Sequence, residues 1–352
     1  MLSAEKALIS CCKFNVFLIA MFSQISLNYF RLAVIAFFMI ALQACGPVAP
    51  GIYKGDKIPV GMQSKLHGID NDLLAALKEN NNNVLEGMMS REMLDGGHER
   101  MRLTEQISIR MKLGNYELSK DYYMVNQFKG LDTIKERNEG DNNFNLVYER
   151  TAPEMYFAFF RPKEKQKWQV TAMFCKLSYG WKLCDLELNL YADNGHTAAE
   201  LTALSKKQLA REEWLDAFNN ADMAEDCMRP YTKMQYLCED EVAKNYNIAI
   251  TAYSKNLAMP VVIKQVAGKP VIIRVQLERN AEGAFPNINY LTNIDLNDVK
   301  ALTEENKAVQ KAIGSVFKGV DKDKKYIYYT IYHNLGKNRA NAKEHTDMKQ
   351  VL

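Results

Sequence analysis

Apolar and polar positions change their spacing several times along this chain, and each change marks an expected element. Leu32 to Leu42 is an unbroken apolar run, preceded by Arg31 and followed by Gln43, Ala44 and Cys45. Such a run is too short to cross a bilayer, which takes about 20 residues. A positive residue, an apolar stretch and a small residue, in that order, predict a secretory signal over residues 1–44. Met21 is an alternative start that leaves a more compact signal. Between 45 and 66, Gly46, Pro47, Pro50, Gly51 and Pro59 punctuate the chain, and the expectation is a flexible tether.

A period near 3.6 then begins. Asp70 is placed to cap a helix carrying Leu73, Leu74 and Leu77, Asn83 and Glu86 have the form of a capping box, and His98–Leu113 is a third helical stretch ended by Gly114. From Tyr116 the pattern turns to strands: Tyr116–Phe128, Phe144–Tyr148, Met155–Phe160, Trp168–Cys175 and Trp181–Leu190. A tip at Tyr179-Gly180 would set Cys175 opposite Cys184. Helices followed by a curved antiparallel meander predict an α+β domain over 67–192.

Helical spacing returns over 197–256. Thr197 and Glu200 form a capping box, Leu201, Leu204 and Leu209 follow, and Trp214, Ala217, Ala221 and Ala224 make a second helix before Pro230. A third helix is expected within Tyr231–Tyr253. Over 259–336, apolar segments after Pro260 and Pro270, an extended Ala284–Ile294, a helix opened by Asn297 or Asp298 and a strand at Tyr326–Tyr332 predict a small βββαβ module. Residues 337–352 are polar, lack a core pattern and are expected to fray.

Three resemblances rest on these residues. Leu42-Gln43-Ala44-Cys45 resembles the lipobox of bacterial lipoproteins. It implies cleavage between Ala44 and Cys45, and acylation of Cys45 (diacylglyceryl and palmitate-type chains) that anchors the protein to a membrane. The order of elements in 67–192, with the hairpin around Trp168 and Trp181, resembles the nuclear-transport-factor-two-like cone fold, whose cone encloses a pocket. Leu204, Trp214, Ala217, Ala221, Ala224 and Pro230 resemble one tetratricopeptide hairpin. No second copy follows, so the expectation is a hairpin docking its two neighbours rather than a peptide-binding array.

Composition narrows the function. Apolar residues make up 47% and charged residues 25%, as in ordinary globular proteins. Residues 1–44 carry two more positive than negative charges, which leaves about +1 of the chain's +3 for the remainder. A nucleic-acid role gains no electrostatic support. Four cysteines remain beyond the signal: Cys175, Cys184, Cys227 and Cys238, and export would permit disulfides among them. Their spacing is not that of a zinc site. The histidines His67, His98, His196, His333 and His345 are scattered, and no metal or cofactor is expected. Asp121, Tyr122 and Tyr123 carry the residue types of a cone isomerase within strand-like sequence.

The expected protein is an envelope lipoprotein of the outer membrane; for a host of the Bacteroidetes type, where an acidic run after the cysteine resembles a surface-export signal, the lack of one after Cys45 implies the periplasmic face. It would bind a protein or small-molecule ligand without catalysis. The alternative is an isomerase- or hydrolase-type enzyme, which requires a carboxylate inside the cone within hydrogen-bond reach of a tyrosine or histidine.

Overall fold

The computed structural model describes residues 48–164, 167–280, 282–333 and 345–352. The expected signal, Ala44 and Cys45 lie outside them. The first described element is not a tether. Gly51–Lys54 forms strand β1, and helix α1 runs from Val60 to Glu79. Pro59 stands at the N-cap of α1. A proline there loses no helical hydrogen bond, so it opened an element where a linker was expected. The helix therefore starts ten residues before the expected cap, and Asp70 lies in its middle.

Three further helices follow: α2 (Asn82–Met88), α3 (Arg91–Leu94) and α4 (Gly97–Leu113). Asn81 caps α2 by accepting from the Val84 N–H, two residues before the expected box. Then come β2 (Tyr116–Val125), β3 (Leu131–Glu136), β4 (Phe144–Glu149), β5 (Glu154–Pro162), β6 (Lys167–Leu177) and β7 (Gly180–Ala192). Sheet order is β1-β2-β5-β6-β7, and its paired strands are antiparallel.

The expected single meander is split. β3 and β4 leave it and pair with a short strand β8, Met234–Tyr236, from the helical middle. Phe157, Phe159, Tyr122 and Met124 from the large sheet pack with Phe144, Leu146, Tyr148 and Tyr231 in a core between the two sheets. Residues 197–256 are thus woven into the first module and do not form a separable linker.

The middle helices are α5 (Ala198–Ala210), α6 (Trp214–Asp226) and α7 (Glu239–Asn256). The Thr197/Glu200 capping box forms as expected. Ala217, Ala221 and Ala224 are buried. Small side chains let α5 and α7 approach α6, and the Ser205 hydroxyl donates to the Ala217 carbonyl at 2.7 Å and accepts from Asn245 at 2.9 Å.

The last module has strands β9 (Val261–Val262), β10 (Val271–Asn280), β11 (Gly283–Thr292), β12 (Tyr326–His333) and β13 (Thr346–Val351) around helix α8 (Val299–Val316). Sheet order is β13-β12-β11-β10-β9. β11 and β12 run parallel, connected through α8, and the other pairs are antiparallel. Asp298 caps α8 through the Ala301 N–H at 3.0 Å. Leu302, Val309 and Ile313 seal one face of the helix against Ile288, Tyr290 and Ile327. The expected frayed tail contains β13, whose residues alternate between half-buried and exposed. An edge strand needs only one covered face, so polar residues suffice for it. Taken together, the fold is α+β, and Pro50–Leu352 forms one compact unit.

Candidate functional site

A cleft of about 760 Å³ lies between α5 and α6 on one side and the β10–β11 hairpin and α8–β12 loop on the other. Its volume falls in the range of small-molecule sites. Each helix contributes one stripe at helical spacing: Leu204, Lys207 and Gln208 from α5 with Arg211 at its C-cap, and Asp216, Asn219, Asn220 and Met223 from α6. Docked helices ordinarily turn apolar stripes inward. Here six of the eight positions are polar.

Two of these polar groups are buried with an unused hydrogen-bonding atom. Asp216 is 3% exposed and Asn219 8% exposed. Lys324 donates to Asp216 Oδ2 at 2.7 Å, while Asp216 Oδ1 and Asn219 Nδ2 have no partner. Burial raises the Asp216 pKa despite the opposing Lys324 charge. Both atoms are closed off from solvent, and orphaned polar atoms of this kind are rare in folded proteins.

The cleft walls are held from outside. Arg279 on β10 donates to Asp193 Oδ2 at 3.1 Å and to Asp226 at the end of α6. Asp193 is fully buried at the end of the β7 connection. Asn194 continues this clamp, donating to the Ala284 carbonyl at 2.9 Å and accepting from the Ala284 N–H at 2.5 Å. Gly319 adopts φ +90°, and a Cβ there would meet Glu213 Cγ at 2.8 Å. The α8–β12 loop can therefore lie on α6 only with glycine at this position.

A second polar cluster lies between α1 and the large sheet. Leu66, Leu73 and Leu77 line the core face of α1 and are fully buried, yet Asp70 occupies the same stripe and is 2% exposed. Tyr156 on β5 donates to Asp70 Oδ2 at 2.6 Å and lies 3.4 Å from Asp121 Oδ2. His67 Nε2 reaches Asp121 Oδ2 at 3.0 Å. Burial, opposed by the Tyr156 hydrogen bond, pushes the Asp70 pKa up to about 7. A carboxylate, a tyrosine and a histidine thus meet on the helix-covered face of the sheet. The buried Phe174 packs beside Tyr156, their ring centroids 6.2 Å apart.

No family model, curated protein or solved structure matches the chain. What can be said of its chemistry comes from its own geometry.

The sequence-expected positions fall as follows. Ala44 and Cys45 lie outside the described residues. Leu177 pairs with Gly180, so the hairpin loop is Ser178-Tyr179, one residue earlier than expected, and Cys175 lies opposite Lys182. A bulge after Met173 moves Cys184 out of that register. The Cys175 and Cys184 side chains still lie in one core cluster, and their interaction raises the Cys175 pKa and lowers that of Cys184. All four cysteines from Cys175 to Cys238 are free thiols in this structure. Tyr122 faces the other sheet and donates to Glu136 at 2.8 Å, and Tyr123 donates to Glu154 at 2.6 Å, so neither joins the Asp70 cluster. Among the described residues, no group of histidine, cysteine and carboxylate side chains could hold a metal. No described helix is long and apolar enough to cross a membrane. The cleft was missed from sequence because Trp214 and the alanines of α6 drew attention to its opposite face. The polar stripe at 216, 219 and 220 was the available signal.

Proposed function

We propose that this protein is a membrane-anchored envelope lipoprotein that binds a small polar ligand in the cleft between the α5–α6 pair and the C-terminal module, without transforming it. The observation that carries the binding role is a cleft of about 760 Å³ whose helical walls line it with mostly polar side chains where apolar packing would be ordinary. The α5–α6 pair in this reading is a single tetratricopeptide-like hairpin, and the helix-covered sheet a cone-like domain whose interior is packed. The anchor is the acylated Cys45, supported by the lipobox Leu42–Cys45 and the apolar run before it.

Each half has its own experiment. Cys45→Ser should move the protein from the membrane to the soluble fraction and abolish incorporation of labelled fatty acid; unchanged fractionation overturns the anchor. For the cleft, a thermal-shift panel of sugar acids, nucleotides, acyl amino acids and their neutral counterparts is run on the soluble Cys45→Ser chain. At least one should raise its melting temperature and lose that effect in Lys207→Glu. A panel with no such compound overturns the cleft.

A second reading, an isomerase- or hydrolase-type enzyme, draws on the Asp70–Tyr156–Asp121–His67 cluster. A carboxylate titrating near 7 beside a tyrosine is the equipment of general acid–base catalysis. Against it stands access: Asp70 and Asp121 are 2% and 4% exposed, and only His67 reaches solvent. Turnover of any panel compound that disappears in Asp70→Asn would replace the binding proposal with this one.

A further inference from the structure

The end of the large sheet nearest Cys45 along the chain also carries a loop of exposed apolar side chains. β1 pairs antiparallel with β2, so Gly51 lies opposite Val125, and Val125 lies opposite Glu154 at the start of β5. The β6–β7 hairpin turns at the same end, with Leu177 opposite Gly180. An extended chain advances at most about 3.5 Å per residue, so the six residues from Cys45 to Gly51 span no more than about 20 Å. Given the acylated Cys45 of the proposed lipoprotein, on which this inference rests, the bilayer surface lies within that distance of this end of the sheet.

The loop between β2 and β3 leaves from there. Gln127 to Leu131 are all exposed, Phe128 at 67% and Leu131 at 72%. Val147 on β4, opposite Thr133, adds an exposed apolar side chain on the same face of the small sheet as Leu131. Single exposed apolar residues are ordinary on protein surfaces. These are held outward. Asn126 fixes one end of the loop: its N–H donates to the Pro153 carbonyl at 2.7 Å and its side-chain amide to the Ala152 carbonyl at 2.8 Å. Arg150 fixes the other: its N–H donates to the Gly130 carbonyl at 2.8 Å and its guanidinium to the Leu131 carbonyl at 3.3 Å. A loop fixed at both ends loses little conformational freedom when its tip enters another phase.

The chemistry of this end suits a lipid surface. Phe128 is followed by Lys129, whose stem can lie along acyl chains while its ammonium stays among headgroups. Tyr179, 46% exposed at the tip of the β6–β7 hairpin, has Arg91 and Lys182 over its ring at 5.4 and 5.9 Å. Aromatic rings with basic neighbours are what the boundary between acyl chains and headgroups accommodates. In the loop itself Lys129 and Arg150 are offset by Asp132 and Glu149, so apolar burial rather than charge sets its binding.

We propose that the Phe128–Leu131 loop dips into the membrane that holds the lipid anchor, seating Phe128 and Leu131 below the headgroups and standing this end of the sheet on the bilayer. Two apolar side chains bind weakly alone, and the anchor raises their local concentration at the surface.

The experiment uses phosphatidylcholine vesicles with brominated acyl chains, which quench a tryptophan that reaches the hydrocarbon. The full chain, purified from membranes and reconstituted in them, is compared as wild type, Phe128→Trp and Val299→Trp. Wild type gives the background of Trp168, Trp181 and Trp214, and Val299→Trp puts the added ring at a 62% exposed position at the start of α8. The Phe128→Trp ring should be quenched, and Val299→Trp should add only unquenched emission. Equal quenching of the two added rings, or none in either, overturns the loop while the anchor stands. The soluble Cys45→Ser chain separates the two claims. It should bind the same vesicles weakly, and Leu131→Ser in it, with an unchanged melting temperature, should lower the partition about tenfold or more, the loss for one leucine no longer buried. If fatty-acid labelling fails while these results hold, the anchor falls and the loop stands as a membrane contact in its own right. A partition unmoved by Leu131→Ser overturns the proposal. So does self-association of the soluble chain that Leu131→Ser abolishes without touching vesicle binding, which gives the patch to a second copy.

Discussion

Single residues decide most of what is unusual here, and Asp70 is the clearest. Its position in the Leu66–Leu73–Leu77 stripe calls for a leucine, and the chain supplies a carboxylate. Desolvation dominates its titration, opposed by Tyr156 and His67 and reinforced by Asp121, and brings its pKa from 3.8 to about 7. Since the folded state holds a proton that the unfolded chain releases, Asp70's contribution to stability is complete below about pH 4. It is lost progressively as pH rises to about 7. Asp70→Asn should remove that slope and raise stability near pH 8 by about 1 kcal/mol or more; urea unfolding of both proteins from pH 5 to 8 measures it. The sequence made Asp70 conspicuous as a polar residue ahead of leucines, which is the pattern of a helix cap. Only the ten helical residues before it, hidden behind Pro59, turn the same residue into a buried acid.

At the level of elements, regular spacing carried the prediction and tertiary pairing escaped it. The capping box at Thr197 and Glu200, the α8 cap at Asp298 and five strands of the first module were legible, because each depends on residues within one turn or one alternation. β8 was not legible. Three residues, Met234–Tyr236, carry no periodicity, and what makes them a strand is the open edge of β4. β1 is the same case, four residues that find the edge of β2.

β1 is also secured electrostatically. Glu136, buried at the end of β3, accepts from Tyr122 at 2.8 Å and from Lys54 of β1, with Lys120 at 3.6 Å. Burial alone would raise the Glu136 pKa. The Lys54, Tyr122 and Asn138 hydrogen bonds and the Lys120 charge outweigh burial and hold it at about 2. A depressed folded pKa stabilises above the unfolded value of 4.5, and this stability disappears as pH falls from there toward 2. Glu136→Gln should flatten the acid limb of the stability profile, and circular dichroism of acid titrations should show its unfolding midpoint moving least with pH.

For the molecule as a whole, the expected boundaries near 192–197 and 256–259 do not part it into independent bodies. Composition suggested modules joined by a linker. The structure instead ties β7, α6 and β10 together through Asp193, Arg279 and Asp226, residues far apart in sequence whose meeting no local pattern announces. Arg279→Ala would strand the fully buried Asp193 with little beyond the Asn194 N–H for company. The expected cost is about 3 kcal/mol, read as a lowered melting temperature. Asp193→Asn in the same chain should restore much of it, since no charge is then left uncompensated.

The contact between Cys175 and Cys184 has a consequence for tracing where the protein has been. Thiols in contact close into a bridge where the surroundings supply a disulfide to exchange with, and stay open in a reducing cytosol. Each folded copy therefore keeps a chemical record of its compartment. Alkylation with a mass-tagged maleimide after acid quenching should leave this pair unlabelled in protein equilibrated with oxidised glutathione and doubly labelled in protein held in reduced glutathione. Equal labelling of the two populations would show that the record is never written.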